Sequence, residues 1–363
     1  MNALARVLSP PGSSERVRLY QSVRTAHLER AHQLPPARLI YAERRYDFEE
    51  SLAAGLDLVD GRGWRAARDL FLNPPRILEI NEPLMLESTL WTLAGVFGAR
   101  LRTLLGRSVA IVTYAIENRD PRPDPPRRTW KARLRRRLEL AAAHVLVRQI
   151  DRIAYGTAAA RELYEDFGVP SLIGRLIWAL PKPQAAGVAP RPVALFASAF
   201  ALRKGIDTLL TAWPAVVRDL PEAQLVLIGK GAELERVQDA AASDPSLTVL
   251  VDPPRGEVLR WMENCRVVVL PSRPTASWRE QVGLPIVEGL SYGRTIVTTS
   301  ETGLAQWLAE HGHQVINPDD PAALAEALTT ALHEPLDPAT VAGALPPVDG
   351  RLAADAWMFG DEP

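Results

Sequence analysis

In the second half of the chain, short apolar runs alternate with stretches whose apolar positions recur every three to four residues. The runs 193–197, 224–228, 247–251, 266–270, 295–299 and 314–316 are rich in Val, Ile, Leu and Thr, the pattern of strands covered on both faces. Between them, 207–218, 232–242, 256–264, 285–292 and 304–311 carry the helical period, and 321–332 follows the sixth strand. Strand and helix in alternation imply βαβ units, hence a parallel sheet with helices on both faces. Six such strands predict a Rossmann-like α/β domain.

The first half reads the same way with more noise. Strands are expected at 38–41, 56–59, 76–80, 109–114, 152–155 and 172–177, which predicts a second Rossmann-like domain. The segment 179–190, rich in Pro, Gly and Ala, reads as a linker between the two. This divides the chain into 1–178, the linker, 191–335, and a tail 336–363 in which 352–359 is a short helix that packs back on the first domain. The apolar stretch 84–99 is interrupted by Glu87 and followed by Arg100 and Arg102. It predicts a buried helix, since a membrane span needs about 20 predominantly apolar residues.

With 363 residues, two domains are expected, and 47% hydrophobic against 23% charged residues is enough for an ordinary core in each. A net charge of −1 gives no global reason for nucleic-acid binding. The lone cysteine, Cys265, excludes an internal disulfide, precedes an apolar run and reads as a buried thiol. One thiol in a chain of this length fits a reducing, cytoplasmic compartment. The start, 1–12, is broken by Pro10 and Pro11 and does not resemble a secretory signal. The six histidines form no metal-spaced cluster, and no metal is expected on that ground; no cofactor is expected either.

Chemistry concentrates at the ends of the second-half strands. Glu280 and Glu288 frame Gly283, Leu284 and Pro285. A glycine and then a proline mark a helix start, which places Glu288 in the first turn and Glu280 on the preceding loop. A helix N-terminus presents free N–H groups and partial positive charge, which suits a diphosphate. Carboxylates beside it suit sugar hydroxyls, because an ionised carboxylate is a strong acceptor. Upstream, the strand 193–197 leads through Arg203 and Lys204 to Gly205 and a helix. Lys204 adds a point charge and Gly205 allows close backbone approach; an ordinary solvated glycine turn is the competing reading. Gly229 and Gly231 follow the strand 224–228 and permit either ligand approach or a tight turn.

In this order the pieces resemble the C-terminal domain of retaining GT-B glycosyltransferases of family 4, the glycosyl transferases group 1. The resemblance rests on Lys204-Gly205, Ile228-Gly229-Lys230-Gly231, Pro271-Ser272 and Glu280-Gln281-Val282-Gly283-Leu284-Pro285-Ile286-Val287-Glu288, and covers about 179–332. It implies a GT-B fold of two Rossmann-like domains facing each other across a cleft. It also implies transfer of a sugar from a nucleotide diphosphate sugar to an acceptor hydroxyl, with retention of configuration and without metal, in cell-surface glycan or glycoconjugate synthesis. By that resemblance Lys204 holds the donor phosphates, Glu280 binds the transferred sugar and stabilises the transition state, and Glu288 binds the ribose. Backbone groups at Gly283 and Leu284 meet the diphosphate, and Val251 and Pro253 flank the base.

Departures are visible. Ser198-Ala199 stands where the family has Gly-Arg, with Arg203 as the candidate substitute, and Gln306 stands where a glutamate is common. The first half lacks the family's histidine after 109–114; Glu117 or Asn118 there, and Asn81 and Glu82 after 76–80, are acceptor-side candidates, with plain polar strand-end turns as the alternative. A catalytically silent partner subunit and a GT-B-fold epimerase or phosphorylase therefore stand beside the transferase reading. Finally, Arg122, Arg127, Arg128, Lys131, Arg133, Arg135, Arg136 and Arg137 are opposed only by Asp124, while Trp130, Leu134, Leu138 and Ala141 form one helical stripe. The segment 122–141 either lies on an anionic membrane surface or packs its stripe on the sheet. Sparse aromatics argue against nucleic acid.

Overall fold

A computed structural model describes residues 15–45, 48–103, 106, 108–123, 129–184, 187–189, 191–276 and 278–360. The segment 1–12, Asp124, Arg127 and Arg128, and residues 185, 186 and 190 of the proline-rich segment lie outside them. The described residues form two compact units. One holds the chain up to Gly156, Ala160–Ile177 and the residues from Arg351 on; the other holds Thr157–Ala159 and Trp178–Gly350.

The first unit contains β1 (Arg16–Val23), α1 (Thr25–Gln33), β2 (Arg38–Arg44), β3 (Leu58–Asp60), α2 (Arg65–Leu72), β4 (Ile77–Ile80), α3 (Thr89–Thr103), β5 (Ala110–Ala115), α4 (Trp130–Val147), β6 (Arg152–Tyr155), α5 (Ala158–Asp166) and β7 (Gly174–Leu176). Its parallel sheet runs β3-β2-β1-β4-β5-β6-β7. The central strand β1 is absent from the sequence reading because Arg16 and Arg18 interrupt its alternation. In the structure Arg18 is buried between Glu79 at 3.1 Å and an aspartate, Asp355, at 2.8 Å. The expected strand 172–177 is a 3₁₀ turn, Ser171–Ile173, followed by three strand residues, because Pro170 sets up the turn.

Two helices of this unit correct the reading. The stretch 84–99 is not a buried helix throughout: α3 begins only at Thr89 and leaves Leu90, Phe97 and Leu101 on its outer face, Phe97 62% exposed. Its inner face approaches α2 so closely at Gly98 that any Cβ would strike the Ala67 carbonyl. In α4 the apolar stripe faces away from the sheet, with Trp130 69% exposed and Leu134 and Leu138 also exposed. The buried side instead carries Arg136, which donates to the Pro121 carbonyl, and Glu139, which accepts from Arg135 at 2.8 Å.

The second unit contains β8 (Val193–Ala197), α6 (Ile206–Asp219), β9 (Gln224–Ile228), α7 (Leu234–Ser243), β10 (Leu247–Leu250), α8 (Arg255–Asn264), β11 (Val267–Leu270), α9 (Leu284–Ser291), β12 (Thr295–Thr299), α10 (Ala305–Glu310), β13 (Gln314–Ile316), α11 (Pro321–His333) and α12 (Pro338–Ala344). Its parallel sheet runs β10-β9-β8-β11-β12-β13, so the order reverses between β8 and β11. Helix α6 buries Ile206, Leu209, Trp213 and Val216 on one face of one continuous apolar core. Helix α12 escaped the sequence reading although Asp337 and Pro338 are a cap and a start; the Asp337 side chain accepts from Thr340 N at 2.9 Å. Cys265 is buried, which pushes its thiol up to about 12 and leaves it inert.

The segment 179–190 is stitched to this second unit where it is described. Gln184 N donates to Ser291 O at 2.7 Å, and Arg294 and Arg266 donate to the carbonyls of Gly187 and Ala189. Past Gly350 the chain enters α13 (Gly350–Phe359). There Ala354, Met358 and Phe359 pack on Ile77, Val112 and Ala154 of the first unit.

Candidate active site

In an open parallel sheet, two loops diverge at the carboxyl ends of the strands where the order reverses, and the gap between them is the natural ligand crevice. In the second unit those strands are β8 and β11. From β8 the chain passes Phe200, which is fully buried, and turns through Leu202–Lys204 into Gly205. Gly205 has φ +73° and its missing Cβ would collide with the Pro271 carbonyl, so only glycine fits between the two loops. From β11 the chain passes Pro271 and Ser272 and reaches Glu280.

These two loops bring Lys204 and Glu280 together across 76 positions of sequence. The Lys204 ammonium donates to Glu280 Oε2 at 2.5 Å, and the Ser272 hydroxyl donates to the same oxygen at 2.8 Å. Glu280 is nearly buried and Lys204 is half-buried at its lip. Ser272 is held in turn by Thr299, whose hydroxyl donates to the Ser272 carbonyl. On the far side of Glu280, Arg279 pairs with Glu301 at 2.8 Å, Gly303 N donates to Gln281 O at 2.7 Å and Thr302 donates to Val282 O at 2.9 Å. The loop after β12 thus braces the loop that carries Glu280.

Helix α9 starts at Leu284, with Gly283 at φ +82° as its N-cap and Pro285 in its opening turn. Glu288 therefore sits one residue beyond the first turn, a correction to its expected place. Ile286 N donates back to Gly283 O at 2.9 Å, so the N–H groups before it stay outside the helix ladder. Glu288 pairs with Arg255 at the start of α8. Both glutamates are therefore matched by a cation of their own unit. Arg255 and Glu301 were not singled out from sequence, and Ser272 entered only as part of a strand end. Ser272 carried a signal in the Pro-Ser strand end, whereas the Arg255–Glu288 contact joins residues far apart in sequence and left none.

The region 191–334 matches the family model described as glycosyl transferases group 1. An uncharacterized glycosyltransferase of Haemophilus influenzae is 28% identical over 109 residues, which span 30% of this chain and 30% of that protein. The fold extends over nearly the whole chain. The lipopolysaccharide outer core galactosyltransferase WaaB in its apo form superposes with a TM-score of 0.67 at 12% identity, covering 95% of this chain and 99% of that one. Anabaena HepE in complex with UDP-glucose gives 0.62 at 13%, covering 94% and 95%. WaaG, a glycosyltransferase involved in lipopolysaccharide biosynthesis, gives 0.59 at 13%, covering 95% and 100%. The architecture is the GT-B fold with two Rossmann-like α/β domains.

Within the region that matches this family model, Gly229 and Gly231 lie against the backbone of Ser198 and Phe200, where side chains at either position would clash. Lys230 between them pairs with Asp252 at 2.6 Å, which ties this turn to the segment holding Val251 and Pro253. Asp252 has φ +51°, and Val251 beside it is exposed. Ala199 supplies no cation, and Gln306 donates to Glu310 at 2.9 Å on the surface. Among the described residues no three His, Cys, Asp or Glu side chains cluster as metal ligands.

The acceptor-side candidates gather on the loops after β4 and β5 of the first unit's sheet, next to its reversal between β1 and β4. Asn81 follows β4 and accepts from Gln21 N at 2.8 Å. Glu82 accepts from Ile116 N at 2.9 Å and Glu117 N at 2.8 Å, so it fastens the loop after β4 to the loop after β5. Burial pushes its carboxyl up to about 8. Glu117 accepts from Arg119 N at 2.9 Å, and Asn118 is buried beside it. The structure brings all four together, with Glu82 bonded inward to backbone.

Proposed function

We propose that the chain transfers a sugar from a nucleotide diphosphate sugar to an acceptor hydroxyl, with retention of configuration and without a metal ion. The observation that carries this is the convergence of Lys204, Ser272 and Glu280 at the strand reversal of the region that matches the glycosyl transferases group 1 model. Lys204 and Glu280 pair with each other. A donor replaces that pairing: its diphosphate takes the Lys204 ammonium and the opening of α9, and its sugar hydroxyls take the Glu280 carboxylate. Ribose hydroxyls likewise take Glu288 from Arg255. Lys204 and the α9 N-terminus neutralise charge as it develops on the leaving diphosphate, the task a metal performs elsewhere. A fold shared with HepE in complex with UDP-glucose, and with WaaB and WaaG, supports such a donor and an acceptor in a cell-surface glycan.

The test is binding and turnover across a panel of nucleotide diphosphate sugars. Glu280→Gln should lower turnover and leave nucleotide affinity nearly unchanged; Glu288→Gln should do the reverse. The opposite pattern contradicts the assignment. Neither binding nor turnover by the unmodified protein points to the silent-subunit reading, and sugar interconversion without acceptor points to an epimerase.

The exposed stripe of α4 favours contact with an anionic membrane, which would place a cytoplasmic enzyme peripherally on the inner face. Trp130, Leu134 and Leu138 face solvent, with Lys131, Arg133, Arg135 and Arg137 exposed among them. Leu90, Phe97 and Leu101 of the neighbouring α3 add apolar surface. Among the described residues no helix is long and apolar enough to cross a membrane. Trp130→Ser with Leu134→Ser should weaken sedimentation with phosphatidylglycerol vesicles; unchanged sedimentation rejects this contact.

A further inference from the structure

The loop between β11 and α9 places one aromatic ring against two cations. The Trp278 ring centroid lies 4.4 Å from the Arg203 guanidinium carbon and 4.7 Å from the Lys204 ammonium nitrogen. Adjacent like charges repel, and the electron-rich face of an indole offsets that repulsion. The two cations differ in every other respect. Lys204 has Glu280, whereas among the described residues no carboxylate pairs with Arg203. Arg203 is thus, among the described residues, a cation with no paired carboxylate, half-buried at the strand reversal and set against a ring.

The backbone that carries the ring is held in place. Thr275 N donates to Trp278 O at 2.9 Å, and Arg273 N donates to Arg203 O at 3.0 Å. The Arg273 guanidinium bridges Asp207 of α6 at 3.1 Å and Asp319 at 2.8 Å. The loop is therefore tied to the Arg203–Lys204 turn through backbone, ion pairs and ring together.

We infer that Trp278 is a positioning residue for nucleotide diphosphates: its ring holds Arg203 beside Lys204 so that two cations meet the two phosphates, and Arg203 fills the place left by Ala199. This rests on the donor reading above and adds a residue to it. A monophosphate needs one cation and a diphosphate uses both, so the ring should matter for the second phosphate.

The experiment is calorimetric titration of the full chain with UDP, GDP and ADP and with the corresponding monophosphates. It uses the unmodified protein, Trp278→Phe, Trp278→Leu, Arg203→Ala and the Trp278→Leu/Arg203→Ala pair. Leucine keeps apolar bulk without a π face, and phenylalanine keeps the face, so both maintain the packing of the loop. Trp278→Leu should weaken the preferred diphosphate by about threefold to tenfold, the range of a partly desolvated cation–π contact. It should leave the monophosphate within about twofold, and Trp278→Phe should recover most of the loss. The double variant should lose less than the sum of the two single losses, because the ring acts chiefly through that arginine. Wild-type affinity in Trp278→Leu, equal losses for mono- and diphosphate, or additive losses in the double variant would each overturn the inference while the donor reading stands. No diphosphate binding by the unmodified protein would overturn both.

Discussion

The two units share an architecture and differ in what they bury. The second is built on one continuous apolar core, running from Leu180 to Val341 and Leu345 at its end. The first divides its core into separate clusters and sets buried charge between them. Arg18, Glu79, Arg351 and Asp355 form an ion network, and Arg136, Glu139 and Glu82 are buried elsewhere. Burial alone would push Glu79 up, but Arg351 and Arg18 hold it below its ordinary value. A buried pair contributes little net stability, because desolvation consumes most of the attraction, yet removing one partner strands the other. The lesson is that the same fold tolerates two core chemistries, with different weak points.

The largest expected effect breaks the ion network. Glu79→Ala leaves two buried arginines, Arg18 and Arg351, with Asp355 as their one remaining shared anion and should cost about 3–5 kcal/mol. Hydrogen exchange should rise in β1, β4 and α13 and stay unchanged in Val193–Ala197. Faster exchange in both units would mean that they share one unfolding transition, which breaks the comparison.

Leu195→Ala is the matching experiment in the second unit. Leu195 is fully buried in the sheet that flanks the loops carrying Lys204 and Glu280, and a cavity there should cost about 2–5 kcal/mol. Chemical denaturation followed by exchange in β8 and β11 checks it. A loss confined to the first unit would contradict the assignment of cores.

A smaller effect separates the units by pH. Glu82 in the first unit rises from near 4.5 to about 8 by burial, so its contribution is full below 4.5 and is lost as pH climbs to 8. His313 in the second unit falls from 6.5 to about 4 by burial, with its ring nitrogen accepting from Ile296 N at 3.1 Å. Its contribution is full above 6.5 and is lost as pH falls through 4. Each has a slope of at most about 1.4 kcal/mol per pH unit. Glu82→Gln should flatten the alkaline side of the first unit's profile, and His313→Asn the acid side of the second's. Profiles that neither substitution changes would remove this distinction.

The same contrast explains what was legible in the sequence. In the second unit, apolar runs bounded by helical stretches located every strand within a residue or so, and Lys204, Gly283 and Glu280 fell where strand ends and helix starts predict. In the first, Arg18 hid the central strand, because a charged residue at a buried position makes sense only when Glu79 and Asp355 are seen beside it. The stripe Trp130, Leu134, Leu138 was legible as a stripe. Its outward direction was not, since that depends on Arg136 finding the Pro121 carbonyl. The pairings of Lys204 with Glu280 and of Arg255 with Glu288 are products of chain crossing between distant strands, which local pattern does not encode.

The central claim is that the second unit alone holds the diphosphate and the sugar at the ends of β8 and β11. Hydrogen exchange of the full chain with and without a saturating nucleotide diphosphate sugar tests it most directly. The account predicts slower exchange at 202–206 and across 280–288, abolished by Lys204→Ala. Protection confined to the loops after β4 and β5 of the first unit, or protection that survives Lys204→Ala, would contradict it.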